Sequence, residues 1–371
     1  MKKIIFKKFN SDVTNFFLIS GLSITLIIWT IQAVNFLDII SEDGHGFKVY
    51  FQYTFLNYPK IVSKILPFVF FISLFYVITK YEDENQLSIY WNHGINKILF
   101  IKNIFYFSII FMIIQILISL FIVPYSQDKS RSYIRSSGID FLPNLMKERK
   151  FIDTMSNLTI YIDKIDLNNR YTNIILKDQI TNSKSQIIYA KKGQLMKENE
   201  NFYLILNDGE IINLNNDRIN KFNFEKTVFN ISKFSTKTTT YPKIQERRTA
   251  SLLKCLMYLD NKIIYPEGFI DMNCDNKSRK PIIRELFKRV ISPIYIPIIA
   301  LLVSILIFRD RHQINYKFFK IKIFIIALFA LFASELSMRF IGISTNINYI
   351  TSLFPFFILF SIYIFIKKKL N

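Results

Sequence analysis

Glu335 and Arg339 stand four residues apart inside a long apolar stretch, Ile323 to Ile341. Ionisable groups within a membrane span are costly and face a protein interior or an aqueous cavity. At this helical spacing the two can neutralise each other, or Arg339 can meet a lipid phosphate while Glu335 holds it in place. Glu285 and Arg289 repeat the spacing just before another apolar stretch, with Pro293 four residues further on. As a pair they would anchor a helix where it enters the membrane. A third group runs from Tyr81 to Gly94 and reads as a short helix. Glu82, Asp83 and Glu84 cluster at its expected start, where the helix dipole favours acids. Leu87, Tyr90 and Trp91 fall on one face, and Gly94 stands where a left-handed C-cap is wanted. Such a helix could rest on lipid headgroups or lie in the groove of a partner.

Bond-making chemistry is missing. His45, His93 and His312 are scattered with no second ligand at metal spacing. The nine glycines form no GxxxxGK[ST], and neither GxSxG nor HExxH occurs. No catalytic, cofactor or metal site is expected, and any ATP would be hydrolysed on another chain. Cys255 and Cys274 could pair in an oxidising compartment, but the plainer reading is two unrelated free thiols. The net charge of +20 is compatible with nucleic acid, anionic lipid or an acidic ligand. The apolar runs give the membrane precedence, and no nucleic-acid partner is expected.

The elements that must position these residues follow from the same runs. Crossing the hydrocarbon takes about 20 mostly apolar residues. Val13–Leu37, Ile65–Thr79, Asn103–Gln127, Val290–Phe308, Ile323–Ile341 and a last run from Tyr349 to Ile366 make six spans. The first is too long, and Asn35 to Asp38 too poor a cleavage site, for a removed signal peptide. Basic residues collect in short loops on the cytoplasmic side. Lys2, Lys3, Lys7 and Lys8, then Lys80, Lys97 and Lys102, then Arg309 to Lys322, then Lys367 to Lys369, put both termini in the cytoplasm. The insert between spans three and four then lies outside, because long loops translocate whatever their charge. Within it, Leu158, Ile160 and Ile162 alternate with polar residues. Further short runs (Asn173–Lys177, Gln186–Ala190, Asn201–Asn207, Glu210–Leu214, Phe222–Ile231) are separated by turn signals at Asn168-Asn169, Asn182-Ser183, Lys192-Gly193, Asn207-Asp208-Gly209 and Asn215 to Asp217. These predict an antiparallel sandwich or open barrel. Leu158, Ile160, Ile162, Leu204 and Leu206 would face its interior, either as an ordinary core or as a groove for an acyl chain. Arg247–Leu259 has helical spacing. The division is residues 1–124, 125–284 and 285–371.

Three spans, a β-rich insert, three more spans, and an acidic loop closing on Gly94 together resemble the LptF/LptG (YjgP/YjgQ) permease family of the lipopolysaccharide export ABC transporter. The resemblance covers nearly the whole chain. Glu84-Asn85-Gln86-Leu87 through His93-Gly94 occupies the family's coupling loop, although the family's glutamate falls on the uncharged Gln86. Glu285, Arg289 and Pro293 match its E-x-x-x-R-x-x-x-P entry to the fourth helix. Asp38, Glu42 and Asp43, with no lysine between Asn35 and Gly46, lean towards an LptF-like member. The resemblance implies a multi-pass inner-membrane subunit with a periplasmic jelly-roll-like domain. It implies a paralogous LptG-like permease, a cytoplasmic LptB-like ATPase dimer using ATP and magnesium, and an LptC/LptA-like periplasmic bridge. Lipopolysaccharide would enter beside spans one and five. The alternatives are the LptG-type paralogue, another ABC lipid or lipoprotein permease, a secondary transporter, and a membrane assembly or sensor protein that moves nothing.

Overall fold

The computed structural model describes residues 2–37, 46–136, 146–155, 157–166, 170–181, 184–198, 201–215, 218–231, 243–260, 274, 276–309, 315–342 and 344–370. Six helices are long and apolar enough to cross a membrane: Lys2–Asn35, Phe47–Asp83, Lys97–Ile134, Asn276–Phe308, Tyr316–Phe340 and Asn346–Lys369. The expected count of six spans holds. The helices outrun the uncharged stretches because flanking lysines keep their stems on the helix and send their ammonium groups to water. Span two looked shortest in sequence, yet its main helix runs Tyr58–Asp83, with Pro59 in the first turn, where a missing N–H costs least. Asp38, Glu42 and Asp43 lie outside the described residues.

The chain divides into two compact units. The helical unit comprises Met1–Thr30, Asn57–Asp128 and Lys243–Asn371. Its apolar centre includes Phe9, Phe70, Phe71, Phe100, Ile104 and Ile299, all fully buried. Span four is the hub: 72% of its apolar stretch is buried, against 6% for span one, 22% for span five and 11% for span six. Pro293 sits in a tight turn, Ser292–Ile294, which divides span four into an entry helix, Asn276–Val290, and a membrane helix, Tyr295–Ser304. Lipid tails are as apolar as leucine, so polar bonds and packing must hold such helices together. Gln115 Nε2 in span three donates to the Ser63 carbonyl of span two at 2.7 Å. The Ser63 and Ser119 hydroxyls meet at 3.1 Å, and Asn103 Nδ2 donates to Asn10 Oδ1 of span one at 2.9 Å.

The second unit, Ile31–Leu56 and Lys129–Pro242, carries one six-stranded antiparallel sheet. Its strands are β1 (Phe151–Met155), β2 (Leu158–Ile165), β3 (Arg170–Thr181), β4 (Lys184–Glu198), β5 (Asn201–Asn215) and β6 (Arg218–Asn230). They lie in sequence order, so the described strands form a meander without a crossover. Leu158, Ile160, Ile162, Leu204 and Leu206 are all at most 1% exposed and belong to one cluster with Ile174, Leu176 and Phe202. That face is a packed core rather than an open groove.

Two expected turns are corrected. Lys192-Gly193 lies inside the 15-residue β4, and Asn207-Asp208-Gly209 lies inside the 15-residue β5. The β4–β5 reversal instead falls between Glu198 and Asn201, which pair with each other. Gly193 and Gly209 serve close packing: a β-carbon on Gly193 would stand 2.2 Å from Ile174 Cδ1, and one on Gly209 2.1 Å from the Tyr189 carbonyl oxygen. Asn173 and Asp208 take left-handed φ of 52° and 55°, which short polar side chains tolerate. The ladders step over one row there, Asp163, Asn173, Lys191, Asp208 and Glu225. Burial alternates in one phase before this row (Ile162, Ile174, Ala190) and in the opposite phase after it (Tyr171, Gly193). A period-two reading therefore fails at this line.

Gly209→Ala should lower the stability of the insert by about 3 kcal/mol, the upper end for overpacking, because the clash is with backbone. Gly46→Ala, where a β-carbon meets nothing within 4 Å, should be neutral. The midpoint of the thermal transition followed by β-sheet circular dichroism checks both.

Candidate functional site

The group from Tyr81 to Gly94 lies in the loop between spans two and three. Its helix is short, Gln86–Asn92, and no acid lies in its first turn. Glu82 and Asp83 instead end the span-two helix, and Asn85, at φ 56°, breaks the chain between the two helices. The expected dipole stabilisation by those acids is thus corrected. They sit at a helix C-terminus, where negative charge is unfavourable, and lysines offset them: Lys320 of span five reaches Asp83 at 3.5 Å and Lys80 reaches Glu84 at 3.9 Å. Gln86 Nε2 donates to Glu84 Oε2 at 2.6 Å, so the uncharged residue and its acidic neighbour act as one group.

The other end of this helix closes as expected. Gly94 takes φ +76°, its N–H bonds the Trp91 carbonyl at 3.0 Å, and the Ile95 N–H bonds the Tyr90 carbonyl at 3.1 Å. This is the two-bond left-handed cap, with Ile95 buried beside it. The aromatic face turns towards the chain's own spans. Leu87 is 1% exposed, and Tyr90 and Trp91 both pack on Phe100 of span three. Tyr90 also meets Tyr81 edge-on, and the Tyr81 hydroxyl donates to Asp12 of span one at 2.5 Å. Burial pushes the Tyr90 phenol above its ordinary pKa. Ile89, half exposed, with Asn92 and His93, forms the outward face. The Asp12–Tyr81 contact was not legible in sequence, since 69 residues separate the two partners.

On the insert side, Glu285 and Arg289 pair as their spacing suggests, at 3.1 Å. Arg289 is 2% exposed, and four of the five N–H donors of its planar fork are engaged. Nη1 donates to the Arg247 carbonyl at 3.1 Å and to Thr249 Oγ1 at 2.8 Å, and Nη2 donates to the Gln245 carbonyl at 3.0 Å. Thr249 Oγ1 passes the link on, donating to the Leu120 carbonyl at 2.8 Å. Leu120 lies in a π-helical turn of span three, Ile118–Ile122, where widened backbone spacing frees such groups. Arg289 thus ties the chain returning from the insert to spans three and four at once. Beside it, Lys60 and Lys64 of span two and Lys288 of the entry helix line a small polar pocket with Ser63, Ser119 and Gln127.

Glu335 and Arg339 behave differently. Both are exposed on the surface of this chain, and among the described residues no ion pair joins them, contrary to the mutual neutralisation their spacing allows. The backbone there is engaged instead: Arg284 donates to the carbonyls of Met338 and Arg339, both at 2.8 Å. Cationic side chains suit the last carbonyls of a helix. The reading of two free cysteines is also corrected, since Cys255 and Cys274 form a disulfide. The helix Thr249–Leu259 turns Cys255 inward beside Leu252 and Ile282, a juxtaposition that spacing could not show.

A six-span helical body, a β-sheet insert after its third span and a short helix capped into the body after its second define a membrane permease of the three-plus-three type. A family model described as the lipopolysaccharide export system permease LptF/LptG matches residues 9–369. The chain belongs to this family, whose members are transport permeases. It is also similar to an uncharacterised protein of Rickettsia prowazekii (strain Madrid E), with 24% identity over 303 residues and 80% of each chain covered.

Arg289→Ala should destabilise the helical unit by about 3–5 kcal/mol, because it strands Glu285 and three acceptors in a buried place. Arg289→Lys should recover only part of this, since one ammonium cannot span the fork. Thermal inactivation of the solubilised protein compares the three.

Proposed function

We propose that this chain is one permease half of an ATP-driven exporter of lipopolysaccharide, paired with a second permease of the same family. The termini are cytoplasmic and the insert is periplasmic. A partner ATPase binds the loop between spans two and three and supplies the energy, and a periplasmic bridge receives the lipid. One observation carries the mechanism. The short helix is capped at both ends by left-handed residues and keyed by Leu87, Tyr90 and Trp91 into the core of spans two and three. Tyr81 extends the connection to Asp12 of span one. A push on the outward face of Ile89 would therefore move spans rather than bend a loop. The transition is rigid-body rocking.

Two further observations support the reading. Spans one, five and six leave most of their apolar surface open, as a subunit that closes a cavity with a second subunit would. Arg339 offers an exposed guanidinium on that surface of span five, with no ion pair among the described residues, suited to a lipid phosphate, and Lys60, Lys64 and Lys288 gather further positive charge around the small pocket beside Arg289. The disulfide favours an oxidising compartment for the insert, in keeping with the loop charges. Leu158, Ile160, Ile162, Leu204 and Leu206 would meet an acyl chain only after the sheet opened.

Four measurements test this. The chain should co-purify with a P-loop ATPase and a second six-span permease. Arg339→Ala should raise the lipopolysaccharide concentration for half-maximal ATPase stimulation about tenfold, the loss of about 1.4 kcal/mol expected of a charge-assisted bond. Ile89→Glu should lower ATPase binding without changing the fold. Copurification of no ATPase, or unchanged stimulation in the reconstituted complex, would count against the proposal. A maleimide–polyethylene glycol reagent should shift the protein from membranes only after reduction, since both thiols are paired.

A further inference from the structure

The helix Thr249–Leu259 and the entry helix Asn276–Val290 form a clasped pair that the transport reading leaves without a role. The first is apolar but only 11 residues long. At 1.5 Å per residue it reaches about 16 Å, half the thickness of the hydrocarbon. It cannot cross.

Its two faces differ. Leu252 and Cys255 are buried, and Leu256 and Leu259 pack with them against Ile282 and Leu286 of the entry helix. The other face carries Leu253, Met257 and Tyr258, at 42%, 43% and 37% exposure, flanked by exposed Arg248 and Lys254. An apolar stripe edged by basic residues, with a tyrosine between, is the composition of a helix lying in a lipid headgroup boundary.

The contacts set its depth. Its first turn is bonded through Thr249 to Leu120 in span three and to Arg289 at the end of the entry helix. Its far end is held to the other end of the entry helix by the Cys255–Cys274 disulfide and by Arg279, whose Nη2 meets Asp260 at 2.7 Å. The entry helix is itself pinned to the insert-side end of span five, where Arg284 binds the Met338 and Arg339 carbonyls. A β-carbon on Gly342 would touch Lys280 there. One end of the entry helix thus meets the end of span five and the other meets span three. It runs across the ends of the spans and keeps Thr249–Leu259 at that level.

We propose that Thr249–Leu259 is a monotopic anchor, lying in the insert-side leaflet with Leu253, Met257 and Tyr258 among the upper acyl carbons and Arg248 and Lys254 at the lipid phosphates. The disulfide locks it to the entry helix so that the chain returning from the insert cannot lift off the membrane. This requires only the six spans and the contacts above, and would stand if the transport reading failed.

The test places benzoylphenylalanine, one site at a time, at Leu253 and Met257 of the full chain in native membranes. Phe332, exposed on span five, serves as the lipid-facing control, and Ile219, exposed on β6 of the sheet, as the control outside the helical unit. Irradiation should give phospholipid adducts at Leu253 and Met257 in yields comparable with Phe332, and none at Ile219. Absence of adducts, as at Ile219, would show the helix in water and overturn the proposal. Adducts to another protein chain would overturn it too, by showing that the face is a subunit interface.

Discussion

Arg289 occupies the point where three parts of the chain converge. Spans three and four and the segment returning from the β insert have little apolar surface to share there, because all are leaving the membrane. A guanidinium solves this with geometry: five donors in one plane can hold a carboxylate, two carbonyls and a hydroxyl together. Its charge is neutralised by Glu285 and its donors are used inside the protein. The entry helix, the return helix and the π turn of span three all take their positions from it. The span that follows it, span four, is the most buried of the six.

The opposite side of the membrane uses a different device. There the link between loop and spans is aromatic, running from Trp91 and Tyr90 to Phe100 and through Tyr81 to Asp12. Two of these ring contacts are edge-on and the Tyr90–Phe100 contact is tilted, geometries that aromatic quadrupoles favour, and the two left-handed residues, Asn85 and Gly94, let the seven-residue helix turn sharply at both ends. The body between the two devices is packed around span four and open along spans one, five and six. A subunit built in this way is tightly packed at its centre and leaves apolar surface uncovered along its flanks.

The β insert shows how a local pattern can mislead. Asn207-Asp208-Gly209 has the composition of a hairpin turn, but both neighbouring strands continue past it in register. The glycine is needed because Tyr189 and Phe224 crowd it, and the left-handed aspartate reverses the alternation of buried residues. The strands instead reverse after Glu198, which pairs with Asn201, where the sequence holds no glycine or proline. Turn propensity is local, whereas the place where a strand reverses depends on what its neighbours can pair with.

What the sequence by itself determined was whatever depends on short-range periodicity and on solvent. The six spans, the place of the insert along the chain, the Gly94 cap and the Glu285–Arg289 pair could all be read within a window of a few turns. So could the absence of a nucleotide-binding loop, and so could the family resemblance. The tertiary structure decided everything resting on contacts between distant segments. It paired Cys255 with Cys274, left Glu335 and Arg339 apart and turned the aromatic face of the loop helix inward. It joined Asp12 to Tyr81 and Arg289 to the return from the insert. A side chain's partner is set by packing, and packing couples residues that no spacing rule connects.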